Sequence, residues 1–211
     1  MKKQIKRLVV AVAAAVMLSA GFAAEVPDND KWTIVRAGAT TTYETLSSAL
    51  AELKDGDTLA PLVAGDKATF SATNLNPVSV DCPFDITNNN VTVDLKDRAL
   101  TKSIASEFVK MDATKISGAH LISFKGATNV TVKNGFLYGT TYRPDWTLTD
   151  DDKRALYVGF GSDVTVSNCA VYAAALIGMV SVYGDSKLTI VDSWLDGQGD
   201  GSENTIRVRN G

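Results

Sequence analysis

The residues best suited to chemistry cluster in one stretch, Thr140 to Lys153, TTYRPDWTLTDDDK, and in the arginine after it. Asp150, Asp151 and Asp152 set three carboxylates side by side, the hard oxygen donors that Ca²⁺ takes. A calcium ion wants about six to eight oxygens converging from several positions, so the same triplet also reads as a solvated acidic turn. Arg143, Lys153 and Arg154 are the cations of this stretch. A second acidic run, Asp192, Asp196 and Asp200 in VDSWLDGQGDGSEN, is oxygen-rich but lacks the full EF-hand pattern, and a plain turn is the simpler reading. His120 is the only histidine. Without a Cys or second His near it in sequence it makes a poor zinc ligand, and the chain has no G-x-S-x-G elbow for a serine nucleophile.

Aromatic residues form the other chemically useful set. The flat face of an aromatic ring suits the apolar C–H face of a pyranose, whose edges then need hydrogen bonds. Phe136, Tyr138, Tyr172 and Trp194 are expected to line one outward stripe, and Tyr157 and Tyr183 to flank a second face near Arg207 and Arg209. Both expectations depend on register, because a slip of one residue moves a ring from the surface to the core.

The elements that would position these residues follow from internal repetition. Ile122-Ser123-Phe124, Leu156-Tyr157-Val158, Val180-Ser181-Val182 and Ile206-Arg207-Val208 are alternating triplets whose starts lie 34, 24 and 26 residues apart. Val130-Thr131-Val132, Val164-Thr165-Val166 and Leu188-Thr189-Ile190 follow three of them at a constant offset of eight. Asn134, Asn168 and Asp192 come next, then the apolar Leu137, Val171 and Leu195. An earlier copy runs through Phe84 and Ile86, Val93 and Leu95, Asp97 and Leu100. A single unit of three short strands cannot bury its inner face, whereas stacked units share one core. Asn and Asp tolerate the left-handed backbone of a sharp corner and can bond to their stacked copies. The fold expected is all-β, a right-handed parallel β-helix with three-strand rungs. A β-sandwich is the alternative, but it does not require the constant offset. The next second-type strand would start eight residues after Ile206, beyond Gly211, so the coil is expected to be truncated at its C-terminus. Asn90-Val91-Thr92 and Asn129-Val130-Thr131 match the N-glycosylation pattern, though strand register accounts for both. The Thr131, Thr165, Thr189 column reads as a β-propensity ladder.

Before the repeats, Thr33-Ile34-Val35 reads as a short strand. Thr41 to Glu44 has the form of a capping box, and Leu46, Ala49, Leu50 and Leu53 recur at helical spacing. Lys54 in the last turn and Gly56 just after it suit a helix stop, so a capping α-helix is expected over residues 42–54. Asp55-Gly56-Asp57-Thr58-Leu59 then turns into a strand. A short helix followed by DGDTL resembles the N-terminal entry of pectin-lyase-like β-helix proteins, where the helix plugs the open end of the coil. That resemblance covers about residues 40–211 and implies polysaccharide lyases or hydrolases, glycan depolymerases, or surface adhesins. Lyases of that family hold Ca²⁺ against a uronate with carboxylates and use an Arg or Lys as base. It thereby gives Asp150, Asp151 and Asp152 a metal role and Arg143, Lys153 and Arg154 a catalytic one. The paired aspartates of its hydrolases have no counterpart here, so an enzyme would be a lyase. The function expected is binding, with or without cleavage, of a polysaccharide or a cell-surface glycan. A non-catalytic adhesin or autotransporter-type passenger is the alternative.

The first residues carry an export signal. Lys2, Lys3, Lys6 and Arg7 precede the apolar run Leu8 to Leu18, and Gly21-Phe22-Ala23 fits a small-x-small cleavage site, so residues 1–23 read as a signal peptide. Residues 24–41 form a spacer and short strand, and the β-helix domain occupies 42–211. No later segment is apolar for long enough to span a bilayer, and the localisation expected is extracellular, cell-surface or periplasmic. Removing the leader's four cations from 21 basic residues, against 24 acidic ones, leaves −7. That charge argues against nucleic acid or anionic lipid as partner. Cys82 and Cys169 lie about three rungs apart, at about 4.8 Å per rung, too far for a disulfide.

Overall fold

The computed structural model describes residues 28–65, 78–79, 82–101, 120–138, 154–173, 180–197 and 206–209. Within these, side chains are described for all but residues 29, 78, 79, 101, 138, 154, 172, 173, 196, 197, 207 and 209. The leader, the 140–153 loop and residues 200–204 lie outside the described residues.

The N-terminal segment holds β1 (Trp32–Arg36), β2 (Ala39–Tyr43), one helix, α1 (Leu46–Glu52), and β3 (Thr58–Pro61). Strands β4 (Val78–Ser79), β5 (Asp85–Ile86), β6 (Thr92–Thr101), β7 (His120–Lys125) and β8 (Val130–Tyr138) follow. The rest comprises β9 (Arg154–Gly159), β10 (Asp163–Ala173), β11 (Val180–Tyr183), β12 (Lys187–Val191), β13 (Trp194–Gly197) and β14 (Ile206–Arg209). They make an all-β, β-helix-like fold of two sheets. Sheet I runs β12-β10-β8-β6-β3-β1-β2, with β13 beside β10 and β4 beside β6. Sheet II runs β14-β11-β9-β7-β5. From β5 onward every described pairing is parallel, and from β5 to β12 the chain alternates between the sheets; β13 stays on sheet I and β14 returns to sheet II.

The repeat aligns in rows as its spacing requires. Ile122, Leu156, Val180 and Ile206 share one row of sheet II. Val130, Val164 and Leu188 share one row of sheet I, and Leu100, Leu137, Val171 and Leu195 another. Most of these side chains join a single core between the sheets. In β8 and β10 the second and third strands of the rung pair continuously through a one-residue corner. Asn134, Asn168 and Asp192 occupy that corner at φ 56°, 49° and 47°. Asn168 Nδ2 donates to Asn134 Oδ1 at 2.9 Å, and Asn134 Nδ2 donates to Asp94 Oδ1 at 3.1 Å.

The earliest copy departs from its expected alignment. Val93 pairs with Val132 rather than starting the strand, and Val91 takes the row of Val130. Three residues, Leu95 to Asp97, then stand where the later rungs have one, with Lys96 at φ 49° and Asp97 at φ 62°. This bulge moves the polar step of the corner ladder from Asp97 to Asp94. A second polar ladder runs along the opposite corner. Asn89 N donates to Asp55 Oδ1 at 2.8 Å, Thr128 N to Asn89 Oδ1 at 2.9 Å, and Asn129 Nδ2 to Asn90 Oδ1 at 2.8 Å.

The helix is shorter than residues 42–54 and starts later. Thr45, not Thr41, is the N-cap, and its Oγ1 accepts from Ser48 N at 3.1 Å in a capping box. Thr41 belongs to β2, opposite Ile34, because the β-branched run Thr40-Thr41-Thr42 pairs better as a strand than it turns as a helix. The apolar face itself is in place: Leu46, Ala49 and Leu53 are buried with Trp32 and Ile34 at that end of the core. Trp32 packs edge-on against Phe84 with centroids 6.1 Å apart. Arg36 holds the following turn: its Nε and Nη2 donate to the two oxygens of buried Asp57 at 2.8 and 2.7 Å.

Candidate functional site

On sheet I the expected outward stripe is interrupted. Ala99, Phe136, Ala170 and Trp194 share one row. Trp194 is 58 % exposed, but Phe136 is only 7 % exposed. Outward register alone does not expose a ring, and the two alanines beside Phe136 leave room for it to lie against the sheet. Tyr138 and Tyr172 pair with each other two residues further along. Their side chains, and that of Arg154, lie outside those described. Arg143, Lys153 and Asp150 to Asp152 fall outside the described residues altogether.

On sheet II, Tyr157 and Tyr183 do come together, stacked with centroids 5.4 Å apart and planes 28° apart. His120 stacks on Tyr157 at 4.8 Å and 13°. One ring from each of β7, β9 and β11 therefore meets in one pile, although the three stand in different rows: His120 pairs with Arg154, Tyr157 with Ser123 and Ser181, and Tyr183 follows Val182, which pairs with Val158. Tyr157 alternates away from core residues Leu156 and Val158. Its ring lies over Gly159, where a Cβ would come within 2.6 Å of Tyr157 Cε1. Glycine at that position is what lets the ring lie down. Ser123 and Ser181 flank Tyr157 in its row and are buried, Ser181 wholly. Ser181 Oγ makes no hydrogen bond among the described residues. The register also places Arg207 beside Ser181 and Arg209 beside Tyr183.

Phe160 completes the group, with its ring 6.4 Å from Tyr157 and tilted by 54°. It is 73 % exposed and sits at φ 59°. Sequence reasoning missed both Phe160 and His120. By sequence His120 offers only a poor metal ligand or a triad member without its serine elbow. Alternation does not mark it, because His120 stands two residues before buried Ile122, opposite Arg154 in register. Phe160 follows the triplet in a turn, where the alternation that selects outward residues no longer applies.

Among the described residues no group of three or more His, Cys, Asp or Glu is arranged to hold a metal ion. Asp192 serves the corner. Cys82 and Cys169 form no disulfide, and burial pushes the Cys169 thiol up to about 11. No described helix is long and apolar enough to cross a membrane. No family of known proteins, no curated protein and no solved structure matches this chain.

Proposed function

We propose that this chain is an exported, right-handed parallel β-helix of the pectin-lyase-like kind that binds polysaccharide on the aromatic side of sheet II. The parallel pairing from β5 onward supports the handedness, since about 98 % of parallel crossovers within one sheet are right-handed. The single observation that carries the binding reading is the cluster of His120, Tyr157, Tyr183 and Phe160 on neighbouring rungs. Half-buried tyrosines offer an apolar body and a polar tip, the combination that a sugar's face and edge call for. Such a surface suits an adhesin or passenger domain as well as an enzyme. Lyase chemistry would draw on Arg143, Lys153 and Arg154, with Ca²⁺ at Asp150 to Asp152.

A glycan array probed with the purified protein tests this reading. The expected result is retention of at least one polysaccharide class, weakened about tenfold by Tyr183→Ala with the fold intact. Absence of binding to every class would overturn it. Unsaturated-uronate absorbance measured on the retained polymer with and without Ca²⁺ then separates the two forms: a rise marks the lyase, a flat trace the adhesin.

A further inference from the structure

We infer that Phe160 is the principal sugar-contacting residue of this site, and that its backbone is held strained to present it. The inference rests on the polysaccharide reading above and names the residue that makes the contact. Three rungs offer the comparison. Lys125 pairs with Gly159, and Val158 with Val182, so Gly126, Phe160 and Gly184 follow in one row of turns. All three have left-handed backbones, at φ 75°, 59° and 63°. Two of the rungs use glycine, which adopts this conformation without steric cost. The middle rung uses phenylalanine, for which a positive φ is a strained outlier.

Packing does not repay that strain. The ring is 73 % exposed, and its one described ring contact is the tilted one with Tyr157. Nor can Tyr157 replace it as a platform, because His120 and Tyr183 stack against it. Phe160 therefore supplies the free aromatic face. Tyr157, in contact with it, and Tyr183, stacked on Tyr157, are both partly exposed. The chemistry recognised is a pyranose unit with one continuous apolar C–H face, laid on Phe160 with its hydroxyl edge toward the phenols.

Three variants of the full chain test this: Phe160→Gly, Phe160→Ala and Phe160→Trp. Binding is measured by calorimetry with hexasaccharides of β-glucan, β-galactan, xylan and polygalacturonate, alongside thermal unfolding. Glycine is expected to raise the melting temperature by about 2 °C, and alanine, which keeps a Cβ, to leave it near the wild-type value. Both should weaken the hexasaccharide that the wild type binds by about tenfold, while tryptophan retains it. A fall in melting temperature on substitution by glycine would overturn the strain. Unchanged affinity in the alanine variant, with the wild type binding, would overturn the contact alone. A wild type that binds none of these and no class on the glycan array defeats the polysaccharide reading itself, and the contact with it.

Discussion

Asp57 illustrates how a residue's role can be half visible in a sequence. DGDTL announces a turn into a strand, and Gly56 at φ 83° with β3 starting at Thr58 is that turn. Nothing in those five letters says that the second aspartate is buried against Arg36, 21 positions earlier. The Arg36 guanidinium, with help from the Lys54 N–H, holds the Asp57 carboxyl below the usual carboxylate range, against the opposing effect of burial. A depressed folded-state value stabilises the fold above the unfolded carboxylate's ordinary value, about 3.9, and that contribution fades as pH falls through the folded value. Asp57→Asn is therefore expected to cost about 2 kcal/mol at pH 7, below the full penalty for a wholly buried pair because Arg36 is 42 % exposed. In urea unfolding below about pH 4, the gap between variant and wild type should narrow. A gap constant with pH would place the contribution elsewhere. The candidate site was similarly half legible. Tyr157 and Tyr183 follow from period-two alternation, whereas the burial of Phe136 depends on what covers its row, which alternation does not encode.

At the scale of elements, the rungs were legible because two periodicities coincide: alternation within each triplet and the offset of eight between triplets. The first rung misled because its bulge at Leu95 to Asp97 inserts two residues into the corner without disturbing the apolar pattern on either side. The helix start misled because two threonine-rich segments, four residues apart, each resemble a cap, and only the pairing of β2 with β1 decides between them. The corner asparagines are the part of the repeat most open to direct measurement. Asn134 accepts from Asn168 and donates to Asp94 while holding φ at 56°. Asn134→Gly keeps the backbone and loses both side-chain bonds, and is expected to cost about 1 kcal/mol. Asn134→Ala loses the bonds and adds left-handed strain, for about 2 kcal/mol in total. Equal stability of the two variants in denaturant titrations would mean that the corner is not held left-handed.

For the whole molecule, sheets I and II enclose one core, with α1 and the Arg36–Asp57 clamp at its N-terminal end. Apart from Phe160, the exposed large apolar side chains among the described residues gather at the other end: Val191, Trp194, Ile206 and Val208 all lie on β12, β13 or β14. The aromatic pile of sheet II depends on rungs lying over one another, since that is what brings His120, Tyr157 and Tyr183 together from three different strands. The Thr92, Thr131, Thr165 and Thr189 column of sheet I reports that register from the solvent-facing side. Spin labels at Thr92→Cys and Thr189→Cys, in a background with Cys82 and Cys169 replaced by alanine, measure it directly. Three rung spacings place the two backbones about 14 Å apart, so strong dipolar broadening is expected. A separation beyond about 25 Å would contradict the stacked coil and dissolve the aromatic site with it.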